Sequence, residues 1–466
     1  MPELVAIVLT SWVAVCVFLF WKLPGRDAAV IAIVGGWAAL PIGRYPASVF
    51  EWPIGNGGSA HALVVPAGIL INKVTAIGLG CLAGSMLFGW AGLRRVRPSW
   101  ADLPVVAWCL VPVASALSNG LSLVEGLDQS RYLALAWGVP YLMGRAYLAD
   151  GEGLRRLGLG FVVAGTVYAP LCLAEFLWRP FLYGAVYGPH PYQLEGSARW
   201  LGFRPLVFQE HGNQLGIWMA SAAVAAVWLW RSGRLTVPAG VRGGAVAAGL
   251  VTVCLLCQSH TAVVLMAAAL VPLWFLGRGA SAGGSGPKAF RSTTAVAGCV
   301  FLVAAAAVAV KAAADPRARE WVRGTFASAG KTSFTWRLAR SEESLRLVAE
   351  RPVLGWGQAD WSDRPDRKFL NPVNLGLWLL ASGMYGAVGI VAWTSLLLLP
   401  EISTFRRLPP WLWLSPSTSG VALAAVLLLM NLIDSLLNST WVVPLTAAAG
   451  GLNGWSLRKG RETAGD

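Results

Sequence analysis

Charge is scarce in this 466-residue chain: Asp, Glu, Lys and Arg make up 13% of it against 56% hydrophobic residues, and the mean hydropathy is +0.58. Soluble domains carry about a quarter charged residues, so the shortage excludes an ordinary soluble protein. Other absences narrow the class. No GxxxxGK[ST] stretch occurs and no GxGxxG follows a strand pattern, so nucleotide chemistry has no support. No internal repeat is visible, and no soluble domain interrupts the apolar segments apart from one polar loop. The N-terminus MPELVAIVLT lacks a basic n-region, and its apolar run therefore reads as an uncleaved span. All seven cysteines fall in apolar stretches where thiols pack well, so they outline no disulfide framework.

What remains is a succession of apolar segments near the length a helix needs to cross a bilayer, about 20 residues. They run from Leu4–Trp21 through Val74–Leu93, Leu157–Trp178, Leu215–Trp230, Thr294–Val310, Leu375–Leu399 and Val421–Leu437 to a glycine-broken segment, Trp441–Trp455. The charge excess, 37 Lys+Arg over 23 Asp+Glu, falls in alternate short loops: Lys22 and Arg26, Arg94 to Arg97, Arg155 and Arg156, Arg231 to Arg242, Arg406 and Arg407, and the tail. By the positive-inside rule those loops are cytoplasmic, and the rest of the excess suits contact with anionic lipid. The opposite set faces outward: the loop around Glu51, SLVEGLDQ, Arg179–Phe208, the turn at Gln258 and Ser259, and a long loop at 311–371. The expected fold is one polytopic all-α membrane domain over 1–466, with about 12–13 transmembrane helices. The outward loop would carry short amphipathic helices, and GRGASAGGSGPK (Gly277–Lys288) reads as a flexible inner linker.

Three outward stretches carry candidate chemistry. In FTWRLARSEESLRLVAERPVLGWG, Arg337 and Arg340 recur at helical spacing beside Trp336, and arginine forks suit a phosphate or carboxylate. Pro352, Gly355 and Gly357 then impose a turn. The second stretch, ARWLGFRPLVFQEHGNQLG, brings Arg199, Arg204, Glu210 and His211 to the mouth of a span. Ionisable groups are costly to hold there without a partner, and Glu210 and His211 are candidates for general acid and base. The third, CLLCQSHTA, is a tight turn that places His260 at the membrane edge for proton transfer or phosphate contact. Cys254, Cys257 and His260 have a spacing that zinc accepts but no fourth ligand, so no metal is expected. Lys73, just before a span, is expected to snorkel. Glu175 is expected to share a cavity with Glu210, and Asp434 to be paired or interfacial.

These stretches resemble those of the O-antigen ligase and polymerase superfamily. ARWLGF is similar to the family's Arg-x-x-Gly before a span, and QSHTA to its Gln/Thr-Ser-Arg-x-Ala turn. WRLARSEESLRLVAERPVLGWG with LASGMYGAVG resembles the arginine-rich helix, Pro-x-x-Gly-x-Gly turn and Gly-x-x-Gly helix of the ligase-like region, about 200–400 here. The resemblance implies a GT-C-like bundle in a bacterial inner membrane with a periplasmic loop. It also implies transfer of a glycan from an undecaprenyl-pyrophosphate donor to a glycan or lipid acceptor, with no cofactor, metal or nucleic acid. In that reading Arg199, Arg204, Arg337 and Arg340 bind substrate, and His260, Glu210 and His211 carry catalysis. Two positions depart from the pattern: Pro372 stands where the family has a histidine, with Asn371 and Asn374 beside it, and His260 replaces the arginine of the turn. Polymerase action, a flippase-like role and a non-catalytic role in polysaccharide export are the alternatives.

Overall fold

The computed structural model describes residues 2–45, 61–64, 70–188, 190, 197–278, 315–328, 341, 344–357, 376–439 and 441–462. The helices begin with α1 Pro2–Lys22 and α2 Gly25–Val30, the latter continuing through a π-helical turn at Ile31–Gly35 into α3 Gly36–Ala39. Next come α4 Lys73–Leu87, α5 Trp90–Leu93, α6 Leu103–Ser118 and α7 Leu123–Leu133, which passes through a second π-helical turn at Ala134–Gly138 into α8 Val139–Tyr147. Then follow α9 Gly151–Trp178, α10 Leu182–Tyr187, α11 Gly212–Arg231, α12 Gly243–Leu256 and α13 His260–Arg278. The last are α14 Pro316–Ser328, α15 Leu377–Arg407, α16 Ser419–Leu437 and α17 Pro444–Glu462.

Among the described residues five helical stretches are long and apolar enough to cross a membrane: Glu3–Lys22, Trp100–Ser118, Gly151–Trp178, Leu377–Arg407 and Ser419–Leu437. Three shorter apolar helices join them, and the architecture is that of a helical membrane protein. The expected span at 294–310 lies outside the described residues, as do Arg337, Arg340, Asn371, Pro372 and Asn374.

The helical class holds, and among the described residues two small antiparallel sheets accompany the helices. Strands β1 Arg44–Tyr45, β2 His61–Val64 and β3 Leu70–Ile71 pair antiparallel in that order, and β4 Ala198–Arg199 pairs with β5 Gly202–Phe203. Such short strands lie in connections, where backbone groups outside helices must still find partners. The expected loop SLVEGLDQ is also helical. Ser122 caps the first turn of α7 and Glu125 returns a bond to the Ser122 backbone, the capping box that S-x-x-E encodes. The glycine-broken last segment is one helix. Its Gly450, Gly451 and Gly454 lie against the backbone of Tyr141, Leu148 and Ala149, and Gly144 of α8 meets the Ala447 carbonyl, so the small residues form a seam.

One end of the bundle is tied by ion pairs. Glu152, at the start of α9, accepts from Arg155, Arg156 and Arg234, while Arg156 also reaches Asp27 and Arg26 pairs with Asp150. This basic end joins the α1–α2, α8–α9 and α11–α12 connections. Each pair is exposed enough to contribute little by itself, so the shared carboxylate matters for register more than for energy.

Near the opposite end α15 is broken. Gly386 has φ 60 and ψ −153, and the turn at residues 351–357 fills the gap. The Trp356 and Gly357 amides donate to the carbonyls of Gly383 and Met384 at 2.9 and 2.8 Å, and the Ala387 and Val388 amides donate to Pro352 and Val353. Ser115 Oγ of α6 donates to both Leu354 and Met384, and Asn119 donates to the Gly355 carbonyl. The groups freed by the break are thereby satisfied within the protein, as a low-dielectric setting requires. Gly386→Ala places a Cβ against the Val353 backbone at a positive φ and is expected to cost about 2–4 kcal/mol. Gly249→Ala, which meets open space in α12, is expected to be neutral or stabilising. Thermal unfolding in detergent distinguishes the two.

Candidate functional site

The end of the molecule away from the basic loops is organised by Glu175 in the last turn of α9. Its side chain is fully buried. Oε1 accepts from the amides of Phe181 and Leu182 at 3.1 and 2.9 Å, and Oε2 from those of Leu206 and Val207 at 2.8 and 2.7 Å. A buried carboxylate is tolerated only when its lone pairs are filled, and here four backbone donors fill them. Two connecting segments distant in sequence are thus pinned to one helix end.

The segment Leu206–His211 then crosses the bundle. Gln209 is buried and donates to the Trp37 carbonyl and to Tyr168, whose hydroxyl donates to Ala38. Lys73 corrects the snorkelling expectation. It is buried, and its ammonium donates to the carbonyls of Trp37 and Phe208 at 3.1 and 2.7 Å while sensing the Glu210 carboxylate. Asn72 and Thr75 fix the first turn of α4 by a capping box, which holds the Lys73 stem inward.

His211 caps α11: its Nδ1 accepts from the Asn213 amide at 3.1 Å. A neutral ring that accepts at Nδ1 carries its proton on Nε2, so His211 is set as a donor. Glu210 is held through its own amide, which donates to Gln214. Arg204 is buried and its guanidinium donates to Asn213, crossing Gly212 where any side chain would collide with it. Asn213 in turn donates to Asn438, and Asn438 to Asp434, so the expected partner of Asp434 is an asparagine on its own helix end. Arginine, two asparagines and a carboxylate form a chain from the 204 segment to α16.

The turn between α12 and α13 packs beside this chain, since Gly216 of α11 leaves room only for Ser259. Gln258 has φ 52, and both polar atoms of its buried side chain find no partner among the described residues. Cys257 touches Cys172 and feels the charge of Arg204, whereas His260 is exposed at the start of α13. The cysteines and His260 thus face different ways, and the described residues contain no group of three His, Cys, Asp or Glu that could hold a metal.

Of the sequence candidates, Arg204, Glu210, His211 and the Ser259–His260 turn gather around the first turns of α11. Arg199 stands apart on the exposed hairpin, and Arg337 and Arg340 lie outside the described residues. A half-open cavity of about 320 Å³ at this end is lined by Glu175, Pro180, Phe181, Tyr183, Gly184, His190 and Leu206. Glu175 lines it but Glu210 does not, so the two carboxylates do not share it. His190 is tied to the same frame through the Gln209 carbonyl at 3.1 Å. Sequence reasoning missed Gln209, Asn213, Gln258 and Asn438, whose only signal is an uncharged amide at the edge of an apolar run.

Glu175→Gln turns one acceptor into an amide nitrogen facing two backbone donors. It is expected to lose roughly 3 kcal/mol and to lower the apparent melting temperature more than Glu125→Gln at the exposed cap of α7. No protein-family model matches the chain, and no curated protein sequence does.

Proposed function

We propose that this protein is a membrane-embedded glycosyltransferase of the O-antigen ligase type. Its substrates would be a polyprenyl-pyrophosphate-linked saccharide and a glycan or lipid acceptor at the outer face of a bacterial inner membrane. The observation that carries the proposal is the grouping of Arg204, Glu210, His211 and the Gln258–His260 turn at the start of α11. These groups come from two separate segments of the sequence that pack together at Gly216 and Ser259, and they supply a cation, hydrogen-bond donors and a carboxylate. A GT-C-like bundle of about 12–13 spans is the fold that goes with this reading.

Transfer requires stabilisation of a departing pyrophosphate and removal of a proton from the acceptor hydroxyl. Arg204 and the first amides of α11 suit the anionic leaving group. His211, protonated on Nε2, suits a donor to phosphate or sugar oxygen, which leaves Glu210 and His260 as the groups able to accept the proton. Arg199 stands apart on the exposed hairpin, and Arg337 and Arg340 complete the arginine set in this reading. Polymerase action differs only in the acceptor and uses the same groups.

A flippase reading expects broken helices lining a path at mid-membrane. The break in α15 is filled by the protein's own turn and lines no such path among the described residues, which favours transfer over transport. With reconstituted protein and a lipid-linked oligosaccharide donor, Glu210→Gln and His260→Ala are expected to fall into one severe and one mild case. The proton acceptor should lose about 10²–10⁴-fold in rate. Full transfer by both variants and by Arg204→Lys would refute the assignment.

A further inference from the structure

We propose that the β4–β5 hairpin and the last turn of α9 form a binding surface for an anionic phospholipid, separate from the cluster at α11. Val163, Val167 and Leu177 are 57, 61 and 62% exposed, and their spacing places them on one face of the helix. In a helix apolar enough to cross a membrane, such a stripe is the lipid-facing side.

The hairpin packs at the end of the same helix. Gly202 has φ 116 and packs on the Phe176 carbonyl, 2.8 Å from where a Cβ would stand, so β5 lies directly against the end of α9. The hairpin tip projects Trp200 and Leu201, 79 and 47% exposed, and Trp178 in the last turn of α9 is 67% exposed. Two exposed indoles and a leucine at a helix end match the amphipathic belt that tryptophan forms at the bilayer interface.

Charge defines the occupant. Arg179 follows Trp178 and Arg199 precedes Trp200, and both are exposed. Neither side chain forms a hydrogen bond or ion pair with any described residue. Arg179 ends α9 with φ 80, a conformation a non-glycine residue adopts only when its surroundings hold it there. Each arginine thus adjoins an exposed tryptophan in sequence, where the apolar helix gives way to polar connections. A phosphodiester accepts bidentately from such a fork while its acyl chains cover the indoles. Arg204, five residues beyond Arg199 in sequence, is instead buried against Asn213, so the two arginines serve different surfaces. The inference does not rest on the transferase reading.

The test uses the full chain carrying the photoreactive residue p-benzoylphenylalanine in place of Leu201, in nanodiscs of equal phosphatidylglycerol and phosphatidylcholine. After irradiation, mass spectrometry reads the lipid attached. Phosphatidylglycerol adducts are expected to exceed phosphatidylcholine adducts about fivefold for each arginine engaged. The ratio should drop toward the bulk composition in Arg179→Gln and Arg199→Gln, with thermal unfolding unchanged because both side chains are exposed. A bulk-like ratio in the unsubstituted arginine background, a ratio indifferent to both substitutions, or cross-links to a second copy of the chain in place of lipid would each overturn the proposal.

Discussion

A single carboxylate held by four backbone amides sets the geometry of one whole end of this protein. Among the described residues no positive side chain pairs with Glu175; the compensation comes from the amides of Phe181, Leu182, Leu206 and Val207. Each amide contributes about 1.5–3 kcal/mol when its acceptor is charged, and a lone buried charge costs more than any one of them returns. The arrangement is therefore cooperative: both connecting segments must close on the helix end for either to be stable. Once they do, the 204–211 stretch has a fixed path across the bundle, and Arg204, Glu210 and His211 are delivered to the first turn of α11.

That path explains why polar groups are dense where the composition is otherwise apolar. Lys73 and Gln209 share the Trp37 carbonyl, and Arg204 reaches Asp434 through two asparagines. Each member satisfies a neighbour that would otherwise be stranded in a low-dielectric interior. Gln258 stands outside these pairs. Its amide finds no partner among the described residues and its backbone sits at positive φ, beside the turn that carries His260. Strain and an unsatisfied group in one residue are features that functional sites tolerate and plain scaffolds avoid.

Much of this was legible in the sequence, for identifiable reasons. Hydropathy and the alternation of arginines located most helices, because both follow from the bilayer as a solvent. Pro352, Gly355 and Gly357 announced a turn, and Glu210 and His211 announced a helix mouth. The sequence did not reveal that this turn is inserted into a broken α15, since backbone-to-backbone docking leaves no side-chain signature beyond glycine itself. Lys73 was misjudged because a lysine beside a span has two outcomes, and only distant carbonyls decide between them. Ser122 and Glu125 spelled a capping box that an acidic, polar composition concealed.

The glycine seam between α8 and α17 carries a mechanical consequence. With Gly144, Gly450, Gly451 and Gly454 removing the side-chain layer, the two helices rest backbone on backbone, and neither has rotamers to rearrange if the other slides. They behave as one rigid beam. Any relative motion within the bundle then pivots in the connections at its ends, leaving the beam as the fixed frame.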